Sequence, residues 1–278
     1  MKKKILTALA LTGIFAFSAC TKTEAPAPAA ASNTRSESDF EDISAKGKMV
    51  IGITIYEPMN YYGENHVLTG FDTEFAGEVC QRLGVEPEFQ VIDWDMKETE
   101  LKSKNIDCIW NGLTVTEERR ANMDFTTTYL VNKQCVVINS ANASTYTDKA
   151  SLASAMLSAE SGSAGESAIT GDDTLSSASY TASNSQQDAL VALNAGNYDA
   201  IVIDYTMAKA SVGSGDFASL QIVDGIELAN EEYAIGFRVG SDTTAKVNSI
   251  ISDMIKDGSL AELADKYDMK ELYEQAVK

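Results

Sequence analysis

Leu101-x-x-x-Asn105-Ile106-Asp107-x-Ile109 and Leu193-x-x-x-Asn197-Tyr198-Asp199-x-Ile201 share one pattern. Each reads as a helix end, a tight turn and a buried strand. Written twice in one chain, the unit predicts two lobes on a common α/β plan. A single match also arises by chance, since this connection is common.

The surrounding hydrophobic pattern agrees. Residues 49–55 alternate and read as a strand. Phe71, Phe75, Val79 and Leu83 recur at helical spacing, and Gly84 reads as the C-cap. Strands at 89–92 and 106–110 flank a short helix at 98–103. A further strand at 133–139 reads as a crossing segment. In the second region, strands are expected at 155–159 and 200–203, with a helix at 186–193. A return strand at 232–238 and amphipathic helices around 247–255 and 260–267 complete the fold. Strands alternating with helices imply a mainly parallel sheet in each lobe.

Ligands in open α/β sheets bind beyond the carboxyl ends of strands. After the first echoed strand come Asn111-Gly112-Leu113-Thr114, and after the second comes Asp204. Thr116 suits an N-cap, with Glu117 and Glu118 in the first helical turn. Arg119 in that turn opposes the helix dipole. A bound carboxylate offsets the conflict, and so does an acidic surface neighbour. Asp204 closes a buried apolar strand and needs a partner. An ammonium group, a helix N-terminus and a structural lysine all qualify.

Other chemistries find little support. The formal charge is −19, and three units more negative without a leader carrying Lys2, Lys3 and Lys4. Such a chain repels nucleic acid and anionic lipid. His66 is the single histidine and falls in a polar loop, which argues against a metal site or a histidine relay. Cys80, Cys108 and Cys135 fit no zinc or redox spacing and read as buried thiols, although one disulfide among them stays open.

Residues 1–19 read as an export signal: a Lys-rich start, a short apolar stretch and small residues before a cut site. Phe17-Ser18-Ala19-Cys20 resembles a bacterial lipobox, which implies lipidation of Cys20 and contact with the membrane through that lipid only. An ordinary secretory signal is the alternative. Residues 21–38, with Pro26, Pro28 and a run of alanines, are too polar and small to fold and read as a tether.

Several motifs together carry a wider resemblance. They are Gly70-Phe71-Asp72, Asn105-Ile106-Asp107, Gly112-Leu113-Thr114-Val115-Thr116-Glu117-Glu118-Arg119, Met123-Asp124-Phe125 and Tyr129. In the second region they are Glu160-Ser161-Gly162-Ser163-Ala164-Gly165 and the run from Asn197 to Asp204. In this order, over about residues 40–275, the chain resembles the family 3 extracellular solute-binding proteins, the polar amino-acid receptors of ABC importers.

The resemblance implies a type II periplasmic-binding-protein fold: an α/β, two-lobed architecture with two crossing hinge strands. Lobe 1 would comprise 39–132 and 233–278, and lobe 2 would comprise 133–232. It implies a monomer that binds a free polar L-amino acid outside the cytoplasm, without cofactor or catalysis, and delivers it to a permease and ATPase. Arg119 would clamp the α-carboxylate, with Ser163, Ala164 and Gly165 adding backbone donors. Thr114 and the backbone of Asn111 and Gly112 would hold the α-amino and carboxylate groups. Asp204 would bind the α-ammonium. Tyr56 and Trp94 would sandwich the ligand, core packing being the other reading of both. Glu160 would read a cationic or amide side chain unless it faces solvent. Some members carry an aspartate at the position of Ile53, so their specificity does not transfer. A dehydratase-type enzyme and a sensor without an importer are the rival functions on this fold.

Overall fold

A computed structural model describes residues 38–278. The leader, Cys20 and the tether as far as residue 37 lie outside the described residues. Ser38, at the end of the expected tether, caps the first helix by accepting a hydrogen bond from Glu41 N at 3.1 Å.

Helix α1 (Asp39–Lys46) leads into β1 (Lys48–Ile53), and a small hairpin, β2 (Tyr61–Tyr62) and β3 (Leu68–Thr69), follows. Then come α2 (Phe71–Leu83), β4 (Glu86–Val91), α3 (Lys97–Lys102), β5 (Cys108–Ile109), α4 (Glu117–Arg120) and β6 (Met123–Phe125). Strand β7 (Leu130–Asn139) carries the chain onward to α5 (Lys149–Leu152), β8 (Met156–Glu160), α6 (Ala164–Thr170), β9 (Ser179–Ser183) and α7 (Gln186–Asn194). The next elements are β10 (Ala200–Asp204), α8 (Tyr205–Ser211), β11 (Leu220–Ile222), β12 (Asn230–Tyr233) and β13 (Gly236–Arg238). Helices α9 (Asp242–Asp257), α10 (Ser259–Lys266) and α11 (Lys270–Ala276) end the chain.

Two sheets organise these elements. The first has the order β4-β1-β5-β13-β6, and the second β11-β7-β10-β8-β9, with β12 paired to β7. Within them β1 runs parallel to β4 and β5, and β8 runs parallel to β9 and β10. Strands β7, β11 and β13 pair antiparallel with their neighbours. Strand β7 is the crossing segment: it pairs first with β12 and then, from Gln134, with β10. The expected return strand at 232–238 is two strands. Its first part pairs with β7 and its second with β5 and β6, so the ladder breaks where the chain changes sheet.

Both faces of each sheet are covered, as alternate residues show. On β10, Ile201 and Ile203 join the core shared with α7 and α8, whereas Ala200 and Val202 face a second cluster with Ile169 of α6. On β1, Met49, Ile51 and Ile53 meet Phe71, Phe75 and Val79 of α2, whereas Val50 faces Leu101 of α3. Burying Phe75 stabilises the first lobe by about 2 kcal/mol before edge-to-face contacts with Trp110 and Tyr129 are added. Cys80, Cys108 and Cys135 are all buried and free.

The sequence echo has a structural cause. Asp107 N donates to Val50 O at 2.7 Å, and Asp107 Oδ2 accepts from Val50 N at 2.8 Å. In the second lobe Asp199 N donates to Met156 O at 2.9 Å, and Asp199 Oδ2 accepts from Met156 N at 2.8 Å. Each aspartate therefore clips the start of its own strand to the neighbouring parallel strand.

Candidate functional site

The carboxyl ends of β5 and β10 open onto one cleft. Asn111, just past β5, has a fully engaged side chain: its Nδ2 donates to Thr54 O and Asn60 Oδ1, and its Oδ1 accepts from Thr54 Oγ1. Gly112 takes φ 56°, the left-handed region where glycine carries no steric cost. A Cβ there would lie 2.8 Å from Tyr56 Cε1 and 3.0 Å from Tyr233 Cε2. Its N–H donates to Asp72 Oδ2 at 2.7 Å, so that donor serves the loop and is not offered to a ligand. Burial raises the Asp72 carboxyl to about 7.

Tyr56 is buried, its hydroxyl bonded to Tyr233 at 2.9 Å and to Thr206 of α8. Trp94 is also buried, 6 % exposed, and packs with Leu101, Ile106 and Ile109. A turn of 3₁₀ helix over Trp94–Met96 turns its ring inward, under the Lys97 ammonium 4.9 Å away. Both aromatics combine a core role with a wall of the cleft.

Thr116 caps α4 by accepting from Arg119 N at 3.1 Å. The Arg119 side chain is buried, and both of its hydrogen bonds go to backbone carbonyls: Nη1 to Thr114 O at 2.8 Å, Nη2 to Gly162 O at 3.0 Å. Burial lowers its affinity for the proton below the usual range. Carbonyls leave its charge uncompensated, and the planar fork suits a carboxylate. Ser163 and Ala164 line the cleft beside it. Ser163 caps α6 through Glu166 N, and Gly165 lets α6 approach β10, since a Cβ would come within 2.6 Å of Val202 O.

Asp204 stands across the cleft. Its carboxylate accepts from Asn132, Gln134, Gln186 and Tyr233, all neutral donors. Neither a helix cap nor a lysine serves as its partner. Burial raises its proton affinity. Glu160, at the end of β8, is 2 % exposed, its Oε1 has no hydrogen-bond partner, and burial with nearby Asp204 raises it to about 8. Thr114 donates to Glu231 Oε2 at 3.1 Å. Lys97 reaches over from the first lobe to donate to Gly162 O at 2.9 Å, and burial plus Arg119 lower it to about 8.

The cleft is narrow, with a free cavity of only about 10 Å³ between its walls. Its walls bring together every binding residue read from the sequence except Gly165, and add Gln186. Asn132, Gln134, Glu231 and Lys97 support the walls and also escaped the sequence. A signal existed for two of them. Leu130, Asn132 and Gln134 share one face of β7, so polar residues alternate inside an apolar strand. Gln186 and Lys97 sit at helix starts among other polar residues and carry no such mark.

The profile of the bacterial extracellular solute-binding proteins, family 3, matches residues 49–270. The chain belongs to this family. Among its relatives, the L-cystine-binding protein TcyJ of Escherichia coli is 26% identical over 227 residues, which cover 81% of this chain and 84% of that protein. The arginine-binding extracellular protein ArtP of Bacillus subtilis is 28% identical over 271 residues, covering 96% and 98%. Among solved structures, an ABC uptake transporter substrate-binding protein from Streptococcus pneumoniae with bound histidine superposes with a TM-score of 0.76. It is 26% identical and covers 86% of this chain and 99% of that one. The family's extracellular solute binding accords with a cleft whose opposing walls carry an uncompensated guanidinium and a carboxylate.

Proposed function

We propose that this binding protein captures a free amino acid with a cationic or amide side chain outside the cytoplasm and passes it to an ABC importer. The observation that carries this reading is the opposition of Arg119 and Asp204, both buried and both held only by neutral partners. A zwitterion supplies the missing charge to each. Its carboxylate replaces Gly162 O on the Arg119 fork, and its ammonium sits between Asp204 and Thr114. The unpartnered Glu160 carboxyl then accepts from the far end of the side chain. Relatives named for arginine, histidine and cystine support a polar ligand.

Closure follows from binding both walls at once. Strands β7 and β12, near 132–136 and 230–234, form the hinge, and differential affinity for the closed state drives the motion. The closed protein docks on a permease and returns empty. The ligand leaves unchanged, so the protein is a carrier and not an enzyme. It acts as a monomer, held to the membrane by a lipid on Cys20.

Calorimetry with all common L-amino acids, ornithine, citrulline and cystine tests the reading. Submillimolar binding of at least one cationic or amide member is expected. No heat and no thermal shift with any of them would overturn it. Release of the protein from cells by Cys20→Ala checks the anchor.

A further inference from the structure

Two carboxyl groups, not one, stand at the hinge side of the cleft. Asn132 Nδ2 donates to Asp204 Oδ1 at 2.7 Å and to Glu231 Oε2 at 3.0 Å. Gln134 Nε2 donates to the same two oxygens at 2.8 and 3.1 Å. Two amides on β7 thus clip a carboxyl from the end of β10 to a carboxyl from β12. Both acids are 7 % exposed. Thr114 adds a donor to Glu231, and Tyr233 adds one to Asp204. The charged and titratable groups facing the pair are Arg119 and Tyr56 from the first lobe, Tyr233 on β12, Cys135 on β7 and Glu160 on β8. Glu231 also borders outer clefts lined by Lys133 of β7, Lys209 of α8 and Lys97 of α3.

We propose that Asp204 and Glu231 form one proton-sharing dicarboxylate, which releases its proton when the ligand's ammonium arrives. Two adjacent buried carboxylates cannot both ionise cheaply. In the ligand-free protein the pair holds one proton and a net charge of one minus. The incoming ammonium brings one plus. The pair then loses its proton to water and stands as two carboxylates beside the ligand's ammonium, while the ligand's own carboxylate takes up the charge of Arg119. Asp204 meets the ligand, and Glu231 acts through Asp204 and Thr114 as a positioning residue. The upward shift of Glu231 to about 7, from burial and from Asp204, places the exchange at neutral pH. The inference rests on the amino-acid reading above and goes beyond it in making capture depend on a proton.

The test is calorimetry of L-arginine, L-histidine and L-cystine at pH 7, each in two buffers of different ionisation enthalpy. Glu231→Gln keeps the side chain's shape and removes its proton. The variant is expected to release about half a proton fewer per bound ligand than the wild type at pH 7, and up to about one fewer at lower pH. Below neutrality the affinity of the wild type should increase with rising pH, by up to about tenfold per unit, and that slope should flatten in Glu231→Gln. Glu160 titrates nearby, so Glu160→Gln is run alongside, and it must keep the Glu231-dependent release. Equal proton release in wild type and Glu231→Gln would overturn the proposal. The infrared band of protonated carboxyls in the ligand-free protein at pH 7, to which Glu160 and Asp72 also contribute, is expected to lose intensity in Glu231→Gln whether or not these amino acids bind. An equal band in wild type and Glu231→Gln overturns the shared proton, whereas failure of the whole amino-acid panel overturns the functional reading itself. Matching unfolding curves exclude misfolding of the variant.

Discussion

Arg119 reaches across the cleft to the Gly162 carbonyl, Nη2 to O at 3.0 Å, and joins the two lobes through a neutral acceptor. A carboxylate binds a guanidinium more strongly than a carbonyl does, and in two places at once. Arg119→Met is therefore expected to weaken amino-acid binding by at least a hundredfold, about 3 kcal/mol. Arg119→Lys keeps the charge and loses the fork, so it should restore only part of the loss. Calorimetry against the best ligand of the panel checks both. Wild-type affinity in Arg119→Met would move the carboxylate site elsewhere.

Lys97 shares that acceptor. It donates to Gly162 O at 2.9 Å and to Trp94 O at 3.1 Å, while Arg119 binds the same Gly162 carbonyl. Its contact crosses the cleft without lining the enclosed space. Lys97→Met should raise the dissociation rate several-fold and leave the association rate nearly unchanged, since the contact forms only on closure. The lysine is lowered to about 8, so it is charged below that pH and loses its proton above it. Dissociation from the wild type should quicken as pH rises through about 8, and the variant should lack that step. Stopped-flow displacement at several pH values measures it.

The raised carboxyls make stability fall with rising pH. Glu160 stands at about 8 in the folded protein against 4.5 for the free group, and Asp72 at about 7 against 3.8. The native state binds these protons more tightly than the unfolded chain. Their stabilisation is complete below the unfolded values and is lost as pH rises through the folded ones. The ligand-free protein should therefore have a higher Tm at pH 5.5 than at pH 8.5. Glu160→Gln should shrink the difference, and scanning calorimetry over that range checks it. A Tm that climbs toward pH 8.5 would rule out buried protonated carboxyls in the cleft.

Legibility followed burial and period. Strands β1, β7 and β10 were readable because their apolar residues are continuous or alternate, and α2 because Phe71, Phe75 and Val79 fall on one face. Strand β9 was not. Its sequence Ser-Tyr-Thr-Ala-Ser is mostly exposed at the edge of the sheet, and only pairing with β8 makes it a strand. Arg119 was legible as a cation in a first helical turn, and Asp204 as a carboxylate at a strand end. Glu231 was not, because an acid in Asn230-Glu231-Glu232-Tyr233 looks like any solvated pair until β7 folds against it. Alternation alone buries Glu231 and Tyr233 and leaves Glu232 out.

The echoed aspartates offer a last contrast, because one motif sits in two environments. Both clip neighbouring parallel strands through the same pair of backbone hydrogen bonds. Asp107 is also buried and ion-paired, to Lys46 at 2.9 Å and to Arg238 at 3.4 Å. Arg238 has a second carboxylate in Asp39 at 2.9 Å. Asp199 is half-buried and clips the exposed start of β8 at Met156. Asp107→Ala leaves Arg238 to Asp39, removes the partner of Lys46 and leaves the Val50 N–H unpaired, and should cost about 3 kcal/mol. Asp199→Ala frees an N–H that water can reach and should cost about 1 kcal/mol. Urea unfolding of both variants measures the difference. Equal losses would mean that the strand clip alone sets the value of the motif, and that the ion pairs around Asp107 add nothing to the first lobe.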